Sequence, residues 1–180
     1  MKALRWLEGL AVVFSLLYTI LISYGHIWCW LFSGLGVLLY LYICYEKRLF
    51  AEAFLQVFYL GTTLYGFLTW GEGLQDKPSE LPLSWHALFI LLGLGLVYLV
   101  GRLLHRHTAA AQPYVDSFTT LFGMGATLLM IALYPSNWLY WIVIDGVSVY
   151  LYYRRRLYLT SGLFALYTLL SLNGYWQWLQ

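Results

Sequence analysis

Three side chains in one short segment have the types and spacing for ligand chemistry: Trp138, Trp141 and Asp145. Steps of three and four residues keep all three on one face of a helix. A carboxylate beneath two indole faces suits a flat organic cation. Indole is the best aromatic surface for a cation, and such a contact contributes about 0.5–2 kcal/mol, most where water is excluded. Asp145 follows Asn137 by eight residues, about 12 Å along a helix, and so sits near the middle of an apolar run. The competing reading assigns both tryptophans to an interfacial belt and pairs Asp145 with a neighbouring hydroxyl. A second constellation, Glu52, Gln56, Tyr59, Thr63, Gly66 and Trp70, recurs in steps of three and four and draws a polar stripe along one helix. In apolar surroundings such a stripe lines a cavity or packs on another polar face. Gln56 can donate and accept, which suits a carboxamide, a sugar hydroxyl or an interhelical hydrogen bond. Glu52, nearer the helix end, could simply pair with Lys47 or Arg48.

Other polar clusters do not assemble into chemistry. His105 and His107 lie among Arg102 and Arg106, where positive charge opposes a metal and no thiolate or carboxylate is near. Arg154-Arg155-Arg156 suits orientation and lipid headgroups better than a phosphate site. There is no glycine-rich phosphate loop, nucleophile elbow or zinc signature. No catalytic residue, metal ligand or cofactor is therefore expected. Cys29 and Cys44 share one apolar run and would stand about 22 Å apart on a single helix, too far to pair.

The elements that position these residues follow from composition. Of 180 residues 62% are hydrophobic, 20% aromatic and 10% charged, against about 25% charged in a soluble domain. That excludes a soluble enzyme, a nucleic-acid-binding module and a disordered tail. A net charge of +2 gives no pull on a polyanion. The expectation is an all-α integral membrane protein, one membrane domain over residues 1–180. About 20 apolar residues span a bilayer, and the charges, glycines and prolines cut the chain into seven candidates: Leu7–Ser23, Trp28–Tyr45, Leu49–Trp70, Trp85–Leu104, Ser117–Leu133, Trp138–Tyr153 and Leu157–Gln177. The first is read as a retained helix and not a signal peptide, because Glu8 interrupts the apolar run and no small-x-small cleavage site follows.

Basic residues orient the spans. With the N-terminus cytoplasmic, Lys2, Arg5, Lys47, Arg48, Arg102, Arg106, Arg154, Arg155 and Arg156 all fall inside, and only Lys77 outside, beside Glu72, Asp76 and Glu80. The C-terminus is then outside. Trp28, Trp30, Trp70, Trp85, Trp138, Trp176 and Trp178 gather near the outer interface, where a belt would lie.

The chain also repeats itself. Positions 8–70 align without a gap on 116–178, matching Phe14/Phe122, Thr19/Thr127, Trp30/Trp138, Tyr42/Tyr150, Arg48/Arg156, Tyr59/Tyr167, Gly66/Gly174 and Trp70/Trp178. Repeat one covers about 7–70, the connector helix about 85–104 and repeat two about 116–178. Two like-oriented three-helix units need an odd number of spans between them, which gives 3+1+3, the arrangement of SWEET-type carriers, with a substrate site near the midplane between the repeats. Matched halves favour a transporter. Gly66 and Gly174 are expected to permit close helix approach, and Thr160, Tyr167, Ser171, Gly174 and Trp178 repeat the polar stripe.

Particular motifs carry a family resemblance. Leu55-Gln56-Val57-Phe58 with Tyr65-Gly66-Phe67-x-x-Trp70 resembles the Q-V-F…Y-G-W-x-x-W pattern in the third span of the PnuC family. The segment from Asn137 to Asp145 is similar to its N-W-x-x-W-x-x-x-[DN], and Leu172-Asn173-Gly174-Tyr175-Trp176-x-Trp178 to its terminal L-N/G-G-x-x-x-W. The resemblance covers nearly the whole chain, most weakly in the fourth span. It implies a SWEET-like transporter in the bacterial inner membrane carrying a cationic vitamin: nicotinamide riboside, or alternatively thiamine, as in the PnuT branch. It implies ring contacts from Trp138 and Trp141, polar contacts from Gln56 and Asn173, and a lining from Tyr59 and Tyr65. It also implies facilitated diffusion, with trapping by a cytoplasmic vitamin kinase. Phe67, where Trp is commoner, and Asp145, where some members have Asn, could mark a different vitamin. Both cations suit Asp145 better than neutral, larger riboflavin would. Partners are then the vitamin and membrane lipids, with a homo-oligomer admitted and no nucleic acid. A SWEET-type sugar carrier and a membrane-embedded enzyme using Asp145 are the rivals, the latter weak because one acid without a second acid, histidine or metal is a poor active site.

Overall fold

The computed structural model describes residues 2–46, 50–70, 80–108, 112–154 and 158–180. Lys47, Arg48, Glu72, Asp76, Lys77, Arg155 and Arg156 lie outside the described residues, as do the side chains of Lys2, Arg5, Glu52 and Thr160. Seven helices are described: α1 (Lys2–Ser23), α2 (Cys29–Glu46), α3 (Phe50–Thr69), α4 (Leu83–His107), α5 (Pro113–Ile131), α6 (Asn137–Arg154) and α7 (Tyr158–Trp178). Each falls within a few residues of a span expected from the sequence. Among the described residues Trp6–Ser23, Cys29–Glu46, Leu83–His107 and Pro113–Ile131 are long and apolar enough to cross a membrane, and Ala53–Thr69 is a shorter apolar stretch. α6 and α7 are more polar because they carry Asn137, Asp145, Ser171 and Asn173.

The chain divides into two compact units, Met1–Lys77 with Gln180, and Pro78–Leu179. In the first, α2 packs between α1 and α3; in the second, α4 packs on α5, α5 on α6 and α6 on α7. The helix expected as a connector thus adheres to the second repeat. It is held there by rings laid into glycine notches. Phe122 lies against Gly93, Phe89 against Gly125, and Tyr114 against Gly101. Phe89 stands edge-on to Phe122 and to Tyr140, at 5.7 and 5.2 Å between centroids. Such pairs add about 0.5–1.5 kcal/mol to the area they bury. Tyr140 also hydrogen-bonds His86 Nδ1 at 2.9 Å, joining α6 to α4.

The repeat is visible bond by bond. After α1 the His26 amide donates to Leu21 and the Gly25 amide to Ile22, both at 3.0 Å. After α5 the Tyr134 amide donates to Leu129 and the Leu133 amide to Met130, again both at 3.0 Å. This is the Schellman ending, which satisfies the last carbonyls of a helix by turning one residue left-handed. Gly25 and Leu133 are those residues, with φ of 65° and 62°. The next helices then start in the same way, Cys29 and Asn137 donating to His26 and Tyr134.

The tryptophans correct the belt expectation. Trp28, Trp85 and Trp176 are exposed, but Trp30, Trp70, Trp138 and Trp178 are buried. In each repeat two indoles meet edge-on: Trp30 and Trp70 at 5.0 Å and 85°, Trp138 and Trp178 at 5.6 Å and 89°. Gly66 and Gly174 also act differently from expectation, since what approaches them is a ring and not a helix backbone. A Cβ on Gly174 would stand 2.6 Å from Trp138 Cε2, and one on Gly66 would overlap the Trp30 ring. The large residue on one helix and the missing side chain on the next are a single packing device.

Candidate functional site

Of the residues singled out in the sequence, Gln56, Tyr59 and Tyr65 lie on α3 of the first unit, and Trp138, Trp141, Asp145 and Asn173 on α6 and α7 of the second. Gln56 and Tyr59 are half-buried one turn apart, while Tyr65 is 60% exposed. Further along the same helix, Thr63 Oγ1 and Ser33 Oγ of α2 are 2.6 Å apart. That hydroxyl pair is a polar tie between α2 and α3.

In the second unit the three residues of the expected cation face have separate surroundings. Trp138 is 2% exposed, with its indole taken up by Gly174 and Trp178. Trp141, one turn on, is half-buried and packs against the cluster of Val97, Phe122, Ala126 and Ile144. Asp145 is 5% exposed at the middle of α6, and Ser171, on the adjoining α7, is 3% exposed. Asn173, half-buried, lies two residues beyond Ser171 on α7.

Sequence reasoning placed Thr63 in a stripe but did not pair it, and it passed over Ser33. It also missed the buried polar atoms at the start of α6. Among the described residues Ser136 Oγ, Asn137 Oδ1 and Trp138 Nε1 have no hydrogen-bond partner, nor does Trp30 Nε1 at the position equivalent to Trp138. Unpaired buried polar groups cost about 1–3 kcal/mol each.

No group of three or more His, Cys, Asp or Glu able to hold a metal occurs among the described residues. What the second unit offers is a buried carboxyl group at the middle of α6, in a unit with an apolar and aromatic cluster. When ionised, such a group favours a cation that brings its own charge over a neutral molecule.

Comparison with known proteins agrees in kind. The nicotinamide riboside transporter PnuC of Escherichia coli is 27% identical over 98% of this chain and 86% of its own length. That of Haemophilus influenzae is 24% identical over 96% and 79%. A crystal structure described as the vitamin B3 transporter PnuC superposes with a TM-score of 0.74 at 25% identity, covering 97% of this chain and 80% of that one. The family model described as nicotinamide mononucleotide transporter matches residues 5–180. Seven helices, buried polar residues within them and a match along almost the whole chain make this multi-pass membrane protein a member of that transporter family, not an enzyme.

Proposed function

We propose that the protein passes nicotinamide riboside across the bacterial inner membrane by facilitated diffusion. The observation that carries this is Asp145, a buried carboxylate halfway along a helix of a family whose named relatives transport this riboside. Its charge complements the pyridinium. Within the second unit Trp141 supplies an indole face and Asn173 a polar contact to carboxamide or ribose; within the first, Gln56, Tyr59 and Tyr65 are the polar contacts that the family resemblance implies. Trp138, its ring against Gly174 and edge-on to Trp178, also holds α6 to α7.

The family description names the mononucleotide, but the distribution of cations favours the riboside. A phosphate calls for Arg or Lys. None of the ten lies in the central turns of a helix: Arg102 and Arg106 close α4, Arg154 ends α6, and the others fall at helix starts or between helices. Thiamine shares the flat cationic ring and stays as the second reading for the same Asp145. The nine-to-one division of basic residues supports a cytoplasmic N-terminus and an outer C-terminus. Asp145 has no second acid within a turn of it along α6, which supports transport without ion coupling, with accumulation left to a cytoplasmic kinase.

Reconstituted vesicles test the proposal. Labelled nicotinamide riboside should equilibrate without being concentrated, the mononucleotide should not enter, and Asp145→Asn should slow the riboside more than its reduced, uncharged form. Faster entry of thiamine would move the assignment to the second reading. Concentration of the vitamin, abolished by an uncoupler, would end the uncoupled one.

A further inference from the structure

We propose that the C-terminal half of α4 binds an anionic phospholipid, with the phosphate on Arg102, Arg106 and Tyr98 and an acyl chain laid over Gly95. The charge there is one-sided. From Leu81 to Val115 the sequence has no Asp or Glu, while Arg102 and Arg106 stand one turn apart near the end of α4. Among the described residues neither arginine has a carboxylate partner, and the Arg102 guanidinium lies 3.4 Å from the Tyr98 hydroxyl. Tyr98 is in turn stacked on Tyr114 of α5, with centroids 6.3 Å apart and planes at 25°, and Tyr114 fills the notch at Gly101. Phenol and guanidinium are thus brought together by packing that needs no ligand.

The same face continues as apolar surface. Steps of three and four lead from Arg106 and Arg102 through Tyr98 and Leu99 to Gly95 and Leu91, and all six residues are exposed. Of the three glycines in α4, two receive rings from α5: Phe122 at Gly93 and Tyr114 at Gly101. Gly95 has nothing within 4 Å of where its Cβ would stand. From Leu91 to Arg102 is about 16 Å along the helix, about half of the 30 Å hydrocarbon core and so the depth of one leaflet. An arginine offers a phosphate two parallel N–H donors. The end of α4 opposes an anion with roughly half a unit of negative charge, which two guanidinium charges outweigh. A free phosphate would use only the arginines, and a second copy docked by this same face would set arginine against arginine. A lipid uses both the charge and the groove. With the orientation proposed above it comes from the cytoplasmic leaflet.

Delipidated protein in detergent, incubated with an equal mixture of phosphatidylglycerol and phosphatidylcholine of identical chains, tests the site through the lipid retained after repurification. The natural protein should prefer phosphatidylglycerol about 25-fold. Salt at 1 M, where charges are screened within about 3 Å, should remove most of that preference without any substitution. Arg102→Gln and Arg106→Gln should each lower it about fivefold, the attraction that one basic residue adds at an anionic surface. Arg154→Gln, at the arginine lying over Tyr150 on α6, should leave it within about twofold. Gly95→Leu should lower retention of both lipids about fivefold and keep their ratio. Equal retention of the two lipids by the natural protein, or an Arg154→Gln loss as large as that of Arg102→Gln, would reduce the site to general surface charge and overturn the proposal. Inorganic phosphate displacing the lipid in the Gly95→Leu variant and the natural protein alike would give the arginines to a free anion. Self-association abolished by Gly95→Leu, with lipid retention unchanged, would give the face to a second copy. Either result also overturns it.

Discussion

At positions 30 and 138 the two repeats set the same indole into the same notch, over Gly66 and Gly174, edge-on to Trp70 and Trp178. One turn further along the helix they diverge. The first repeat continues with Ser33 and Val37, and the second with Trp141 and Asp145. The ends of the second and third helices of each repeat are thus fastened alike, and the central turn of the second is free to specialise. In the first repeat that turn carries a neutral hydroxyl pair. In the second it carries a buried carboxyl group. A duplicated unit can take on a binding role in one copy when its stability resides in residues that both copies retain.

Removing an indole should produce the largest effect and tests whether the shared device really is structural. Trp30→Ala and Trp138→Ala should each destabilise by about 3–5 kcal/mol, as loss of a buried large aromatic does, read as detergent-solubilised thermal unfolding. Trp138→Phe keeps most of the packing and separates fold from ligand. It should bind nicotinamide riboside within about twofold of the natural protein if Trp138 only packs. A tenfold loss would restore to Trp138 the ring contact that its spacing with Trp141 and Asp145 suggested.

Filling the notch comes next. Gly66→Ala and Gly174→Ala push a methyl group into a buried ring, and overpacking of that kind costs about 1–3 kcal/mol. Gly162, also inside α7, has nothing within 4 Å of where its Cβ would stand. Gly162→Ala should therefore stabilise by about 0.5–1 kcal/mol, because alanine loses less backbone freedom on forming a helix. Losses at 66 and 174 beside a gain at 162 would confirm that the notch, not helix propensity, fixes those two glycines. A neutral Gly174→Ala would show that the second repeat can shift its indole where the first cannot.

The sequence discloses some of this and hides the rest for physical reasons. Span limits were legible because hydrocarbon demands unbroken apolar runs, and charges and prolines end them. The repeat was legible because its Trp, Gly and Tyr matches stay in register. The packing of Trp138 was not, because i, i+3, i+7 spacing says which residues share a face and nothing about what meets that face. A glycine on another helix, 36 residues away, makes the notch that receives this indole. The tie between Ser33 and Thr63 was hidden likewise: a hydroxyl on a membrane helix usually bonds back to its own helix, as Ser148 and Thr168 do here. Only the second helix distinguishes a tie from a back-bond.

The smallest expected effect concerns the turns. Both repeats end their first helix with a left-handed residue, glycine at 25 and leucine at 133. A side-chain-bearing residue in that conformation costs about 1–2 kcal/mol, whereas glycine adopts it without strain but gives up about 0.5–1 kcal/mol more backbone entropy on folding. Leu133 is half-buried, so its removal also forfeits some apolar contact. The balance for Leu133→Gly should be a gain of at most about 1 kcal/mol, or roughly 2–4 °C in Tm for a chain of this length. The reciprocal Gly25→Leu puts a large side chain on a buried residue in the left-handed conformation and should lose more than Leu133→Gly gains. Should Leu133→Gly melt earlier than the natural protein, the leucine's contacts outweigh its strain. The second repeat would then hold its turn by packing where the first holds it by conformation, a second point of divergence beside Asp145.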